Sequence, residues 1–264
     1  MRGEAAIALS AILMSTVSIF VREIDGDALS VAFLRFASAS VFLAAFAAVA
    51  RIRLRMSKIL FLLALLNLAT VSCYIYAIKS LEVATAALLL YAAPVYAVPI
   101  AAAMGEKIEL RSVLSLLIGL LGLYLLLSPY PRFETSLLIG VASGVFYALV
   151  FAVSKVARKN HEPLEISIAN VTIGAALLLP YYVTNPASGS LATVVALGLV
   201  PTAIPFSLFA YAMKYLKVQK APLIALVEPV SATFIGYVYF GEMLSEVQLF
   251  GAALVLLSAA VSSR

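Results

Sequence analysis

Tryptophan is absent from this 264-residue chain, and cysteine and histidine occur once each. The lone Cys73 lies in an apolar stretch, which excludes a disulfide framework and a thiolate metal site. The lone His161 sits in the charged stretch from Arg158 to Pro163 and has no second histidine or cysteine for a nucleophile–base pair. It reads as a surface side chain. Charge is also scarce: charged residues make up 12% of the chain, against about a quarter in soluble domains. There is no Walker A sequence, so ATP does not drive the protein directly. No face gathers basic and aromatic residues together, which excludes nucleic acid as a partner.

What fills the chain instead is apolar. Hydrophobic residues make up 64% and mean hydropathy is +1.09, so the sequence encodes an all-α membrane protein. Apolar segments are expected at about 4–21, 28–50, 59–78, 84–104, 112–128, 136–154, 164–183, 191–213, 219–240 and 247–262. The first is read as a span, since no small-residue cleavage site follows it. Ten spans put both termini on one side. That side carries fourteen Lys and Arg, and the other carries only Arg22, Lys79 and Arg132. The positive-inside rule then predicts cytoplasmic termini in a multi-pass protein of the cell (plasma) membrane. Pro129-Tyr130-Pro131 is expected to form a rigid external connector.

The chain also repeats itself. Shifted by 135 residues, Ala77, Lys79, Leu81, Val83, Ala86, Pro94 and Val95 fall on identical residues, and one further residue brings Gly105-Glu106 onto Gly241-Glu242. At a shift of 133, Arg22 falls on Lys155. Two halves, 1–130 and 131–264, are therefore expected, each of five spans and inverted relative to the other because five is odd. Inverted repeats with interrupted helices near the midplane are a pattern of secondary transporters.

Glu228 falls on Ala93, so only the second copy carries an acid at this membrane depth. Ionisable groups there are costly and are functional candidates by default. Pro229 beside it frees a backbone carbonyl and tends to kink the helix, as do Pro94 and Pro205 in other spans. Small residues three and four positions away, including Ala225, Ser231 and Ala232, leave room for ligand or for tight packing. Arg35 lies about 10 Å into span two and Glu228 roughly 18 Å into span nine. Arg35 either snorkels to headgroups, holds backbone, or faces the bundle toward Glu228 and a substrate carboxylate. Tyrosines in mid-span, with Asn67 and Thr70, make a polar-edged aromatic cavity an expectation. Gly119, Gly122 and the Gly140–Gly144 pair read as close-packing positions.

The stretches YAIKSLEVATAALLLYAAPV and YAMKYLKVQKAPLIALVEPV, each followed by a span ending in Gly-Glu, resemble the EamA-type branch of the drug/metabolite transporter superfamily. The resemblance covers both halves, and Arg35 stands at that family's arginine position of span two. It implies ten transmembrane helices in two inverted five-helix repeats around a central cavity. It also implies a secondary active or facilitated transporter, an exporter of small metabolites with amino acids the leading class, working by alternating access. Tyr74, Tyr91, Tyr147 and Glu228 are carried over as substrate-binding residues. Pro94, Pro205 and Pro229 are gating or kink positions. An enzyme is excluded for want of clustered polar groups. No cofactor or metal is implied. The expected partners are a small-molecule substrate and the bilayer, with proton coupling through Glu228 left open, and the carrier a monomer or weak dimer. Export of other metabolites or drug-like cations, or less directly a channel, are the alternatives.

Overall fold

The computed structural model describes residues 2–21, 23–49, 51, 55–80, 83–127, 136–241, 243 and 245–263. Arg22, the Pro129–Pro131 connector, Arg132 and Glu242 lie outside the described residues. In chain order the helices are α1 Arg2–Ser15, α2 Val17–Val21, α3 Ala28–Val49, α4 Lys58–Ser80 and α5 Val83–Tyr91. Then follow α6 Ala93–Ala103, α7 Leu110–Leu127, α8 Ser136–Ala157, α9 Pro163–Thr184 and α10 Leu191–Gly198. A π-helical turn, Leu199–Ala203, leads into α11 Ile204–Ala212, and α12 Ala221–Ala225, α13 Val227–Phe240 and α14 Glu246–Ser263 complete the chain. Among the described residues, eight helical stretches are long and apolar enough to cross a membrane. Two more apolar helices, Lys58–Tyr74 and Glu246–Ser262, are shorter.

Several spans that read as single helices are broken, and each break has a local cause. Pro94 and Pro229 cannot donate to the carbonyls four residues upstream, so α5 stops at Tyr91 and α12 at Ala225. At Thr16 the hydroxyls of Ser15 and Thr16 bond the carbonyls of Ile12 and Leu13, both at 2.7 Å, and α1 gives way to α2. After α6 and α13, Gly105 lies at φ +82° and Gly241 at φ +69°, a left-handed conformation that suits glycine.

Glycine also sets the closest helix seams. A Cβ on Gly122 of α7 would meet the Gly251 carbonyl of α14 at 2.8 Å, and one on Gly144 of α8 would meet the Leu89 carbonyl of α5 at 2.3 Å. The Gly140–Gly144 spacing is therefore used, and α5 packs into it.

The two ends of the bundle differ. At the end where Gly3 lies against Tyr215, the loop after α6 is latched to the loop before α12. Lys220 pairs with Glu109 at 2.9 Å, the Val218 amide donates to Glu106 at 3.0 Å, and Lys155 lies 3.8 Å from Glu106. His161, expected at the surface, is buried there: it contacts Ser57 at 2.8 Å and Glu165 at 3.4 Å. At the opposite end Asp25 and Ser188 exchange backbone hydrogen bonds of 2.9 and 2.7 Å. There Asp27 caps α3 by accepting from the Leu29 and Ser30 amides.

Candidate functional site

A cavity of about 450 Å³ lies at mid-bundle and runs toward the end remote from the N-terminus. That is within the range of small-molecule sites. Its walls bring together Arg35 (α3), Tyr74 (α4), Tyr91 (α5), Tyr147 (α8) and Glu228 (α13). Toward the N-terminal end the bundle is closed by Ile7, Phe151, Met213 and Leu216, each 3% exposed or less.

The helix breaks position the polar groups. Tyr91 is the last residue of α5 and Glu228 the second of α13, so both stand beside the one-residue breaks at Ala92 and Leu226, and both line the cavity. Tyr91 and Arg35 both lie within electrostatic reach of the Glu228 carboxyl. Glu228 remains partly accessible because it faces the cavity. The small-residue face around Glu228 holds only downstream of the break. Ala232 and Gly236 line the cavity, whereas Ala221, Ile224 and Ala225 belong to α12 and are buried in the core.

Arg35 faces the bundle rather than the headgroups, and backbone is what it holds. Pro205 has no amide for the Pro201 carbonyl, and Arg35 Nη2 donates to that carbonyl at 2.8 Å. Pro201 likewise leaves the Leu197 carbonyl free, and the Thr202 hydroxyl donates to it at 2.8 Å. Arg35 Nε donates to the same Thr202 oxygen at 2.8 Å, and the guanidinium stands 5.8 Å from the Phe206 ring. The two prolines thus open two carbonyls, and an arginine–threonine pair closes them.

Of the proline positions, Pro229 lines the cavity, while Pro94 and Pro205 sit at the starts of α6 and α11 behind it. Tyr76, on the same helix as Tyr74, is half exposed on the bundle's outside. Among the described residues, no cluster of metal-ligating side chains occurs. The α1–α2 break contributes Met14, Ser15 and Ser18 to the cavity, and α11 contributes Phe206. Sequence reading passed over these four. The run of hydroxyls at Ser15, Thr16 and Ser18 was the available signal for the break.

The model of the EamA-like transporter family matches residues 1–128 and 135–264. An uncharacterized transporter of Archaeoglobus fulgidus is 50% identical over 262 residues, covering 99% of this chain and 96% of that protein. A probable terminal-alkyne amino-acid exporter of Streptantibioticus cattleyicolor is 27% identical over 180 residues, covering 64% of this chain and 60% of its own length. A crystal structure of a protein 20% identical superposes with a TM-score of 0.88, covering 99% of this chain and 98% of that one; it shares the fold.

Proposed function

Because this chain belongs to the EamA-like transporter family of the drug/metabolite transporter superfamily and is a multi-pass membrane transporter rather than an enzyme, we propose that it moves amino acids out of the cell by alternating access around the mid-bundle cavity. The observation that carries this reading is the convergence of one cation, one acid and three tyrosines on a single cavity beside interrupted helices. An amino acid carries both charges. Its ammonium is matched by Glu228 and its carboxylate by the Arg35 side, while Tyr74, Tyr91 and Tyr147 supply apolar faces and hydroxyls. The export activity named for the Streptantibioticus cattleyicolor relative supports the substrate class.

In this reading the two shorter apolar helices join the eight longer ones to make ten crossings, in halves 1–130 and 131–264 of opposite orientation. The termini lie in the cytoplasm of a cell whose plasma membrane holds the carrier, and the cavity faces outward. Pro94, Pro205 and Pro229 mark where the helices bend between states. Glu228 carries the proton if transport is coupled to one. Two similar, oppositely oriented halves can exchange roles, which makes outward and inward states close in energy.

The test is uptake of labelled amino acids into proteoliposomes, with and without a pH gradient. Saturable uptake of one group, stimulated by the gradient in wild type and not in Glu228→Gln, is the expected result. Gradient dependence unchanged in Glu228→Gln removes that residue from coupling. Uptake of no member of the panel sinks the amino-acid assignment.

A further inference from the structure

Between the cavity and the N-terminal end lies a second, smaller chamber of about 40 Å³. Met14, Asn67, Tyr147 and Phe206 line both spaces, so the two share a wall. The chamber's remaining polar lining is Ser154 of α8 with Ser167 and Asn170 of α9. Ser154 is 1% exposed and its hydroxyl oxygen has no hydrogen-bond partner. The Asn170 Oδ1 atom is buried and unpartnered in the same way. Ser167 donates to the Pro163 carbonyl at 2.9 Å, which leaves its own oxygen able to accept.

An unpaired buried polar group costs on the order of 1–3 kcal/mol, so two of them on one small void call for a ligand. A water molecule needs roughly 10–15 Å³ of open space, with two to four polar partners. The chamber has room for about three. Its place in the bundle adds a second argument. One face of α8 carries Tyr147 and Ser154, nearly two turns apart, and Arg158 follows one residue past its end. Tyr147 lies in the cavity, and Arg158 lies at the N-terminal end, 3.7 Å from Glu162. The chamber stands between them; Leu63 and Ile166 belong to its lining, and Leu60 and Ala157 pack with them in one apolar cluster. The neighbouring route past α1 and α12 is the one filled by Ile7, Phe151 and Met213.

We infer that this chamber is a water site and the inner half of the carrier's substrate path, a polar throat between α4, α8, α9 and α11. It stays hydrated while the apolar plug around Leu60 and Leu63 is shut, and it passes substrate when the plug parts. The inference rests on the carrier reading, but its first readout does not need a substrate.

Hydroxyl radicals generated in the solvent by a synchrotron pulse oxidise side chains that touch water, and the wild-type protein in lipid nanodiscs suits the measurement. Phe209 lines the chamber and not the cavity, and Phe151, 0% exposed, lines neither. Phe209 is expected to oxidise several-fold faster than Phe151. Ser154→Ala with Asn170→Leu should bring it down to the Phe151 rate and leave Tyr74 unchanged; Ser154→Ala alone should go part of the way. Equal rates in wild type, or a Phe209 rate indifferent to both variants, overturns the water site.

For the route, Ser154→Cys in a Cys73→Ser background is treated with a membrane-impermeant thiol reagent from either face of sealed vesicles. Reaction from the face bearing the termini, several-fold faster than at Ala148→Cys on the packed side of α8, supports the path. Reaction only from the other face, or at the control rate, overturns it. A hydrated, reactive chamber in a protein that transports no amino acid would leave this path standing and remove the substrate class.

Discussion

Two glycines one turn apart on α8 face the same neighbour and should respond differently to alanine. A Cβ at Gly140 would come 2.4 Å from Leu89 Cδ1, the free end of a rotatable side chain. At Gly144 it would come 2.3 Å from the Leu89 carbonyl oxygen, which belongs to the backbone of α5. Ordinary contact needs more than 3 Å, so in the second case α5 itself must move by about 1 Å. Replacing a helical glycine by alanine gains roughly 0.5–1 kcal/mol of backbone entropy. Overpacking costs about 1–3 kcal/mol, with the upper end applying where no rotamer relieves it. Gly140→Ala should therefore fall within about 1 kcal/mol of wild type, and Gly144→Ala should lose about 2 kcal/mol. For a chain of this size, about 2 kcal/mol corresponds to a Tm lower by roughly 4–8 °C. Because Tyr91 lies two residues beyond Leu89, the same displacement should raise the substrate KM of Gly144→Ala and spare Gly140→Ala. Thermal unfolding of the purified protein, with Leu89→Ala added to each variant, is the assay. The extra substitution removes the obstacle at position 140 and not at 144. Equal losses for the two glycine variants, or rescue of Gly144→Ala by Leu89→Ala, would refute the backbone-clash argument.

Arg35→Lys keeps the charge but loses the forked donation to Thr202 and Pro201, and is expected to destabilise by about 1.5–3 kcal/mol, measured by thermal unfolding; a loss under 0.5 kcal/mol, on the order of a surface change, would contradict the role given to the guanidinium. The Lys217 and Lys220 ammoniums hold the Glu109 carboxyl below its ordinary 4.5. Its contribution is therefore complete above about pH 4.5 and is lost as pH falls through the lower folded value. With both ends partly exposed it is worth no more than about 1 kcal/mol, so the Tm gap between wild type and Glu109→Gln should be small at pH 6 and close as the pH is lowered toward about 3. Asp27 has the same sign: slight burial pushes its carboxyl up, but the Ser30 hydroxyl and the Leu29 and Ser30 amides outweigh it and leave the group below its ordinary value. Asp27→Ala should cost about 0.5–2 kcal/mol near neutral pH, and a variant as stable as wild type would mean the α3 cap is idle.

Much of this was legible because membrane burial writes itself into composition. Ten apolar segments, the 135-residue self-similarity and the lone acid at Glu228 needed only hydropathy and counting. Tyr74, Tyr91, Tyr147 and Glu228, expected around one substrate, do line one cavity. The helix breaks were less legible, since a proline acts on the carbonyl four residues upstream and the break falls at Leu226 rather than at Pro229 itself. Least legible were pairings between distant segments. His161 is buried because Ser57, 104 positions away, reaches it. Depth in its span does not reveal the partners of Arg35, which are decided by two prolines more than 160 residues later.

The bonds of Arg35 also bear on how the molecule can move. Its guanidinium pins the middle of α3 to the widest turn of the interrupted α10–α11 segment, at the level of the cavity. Loops at either end can part while that rivet holds, but the two helices cannot slide past one another there without stranding the Pro201 carbonyl. Rocking is then free and sliding is not. The arginine acts as an axle, and the ends of the bundle trace the arcs.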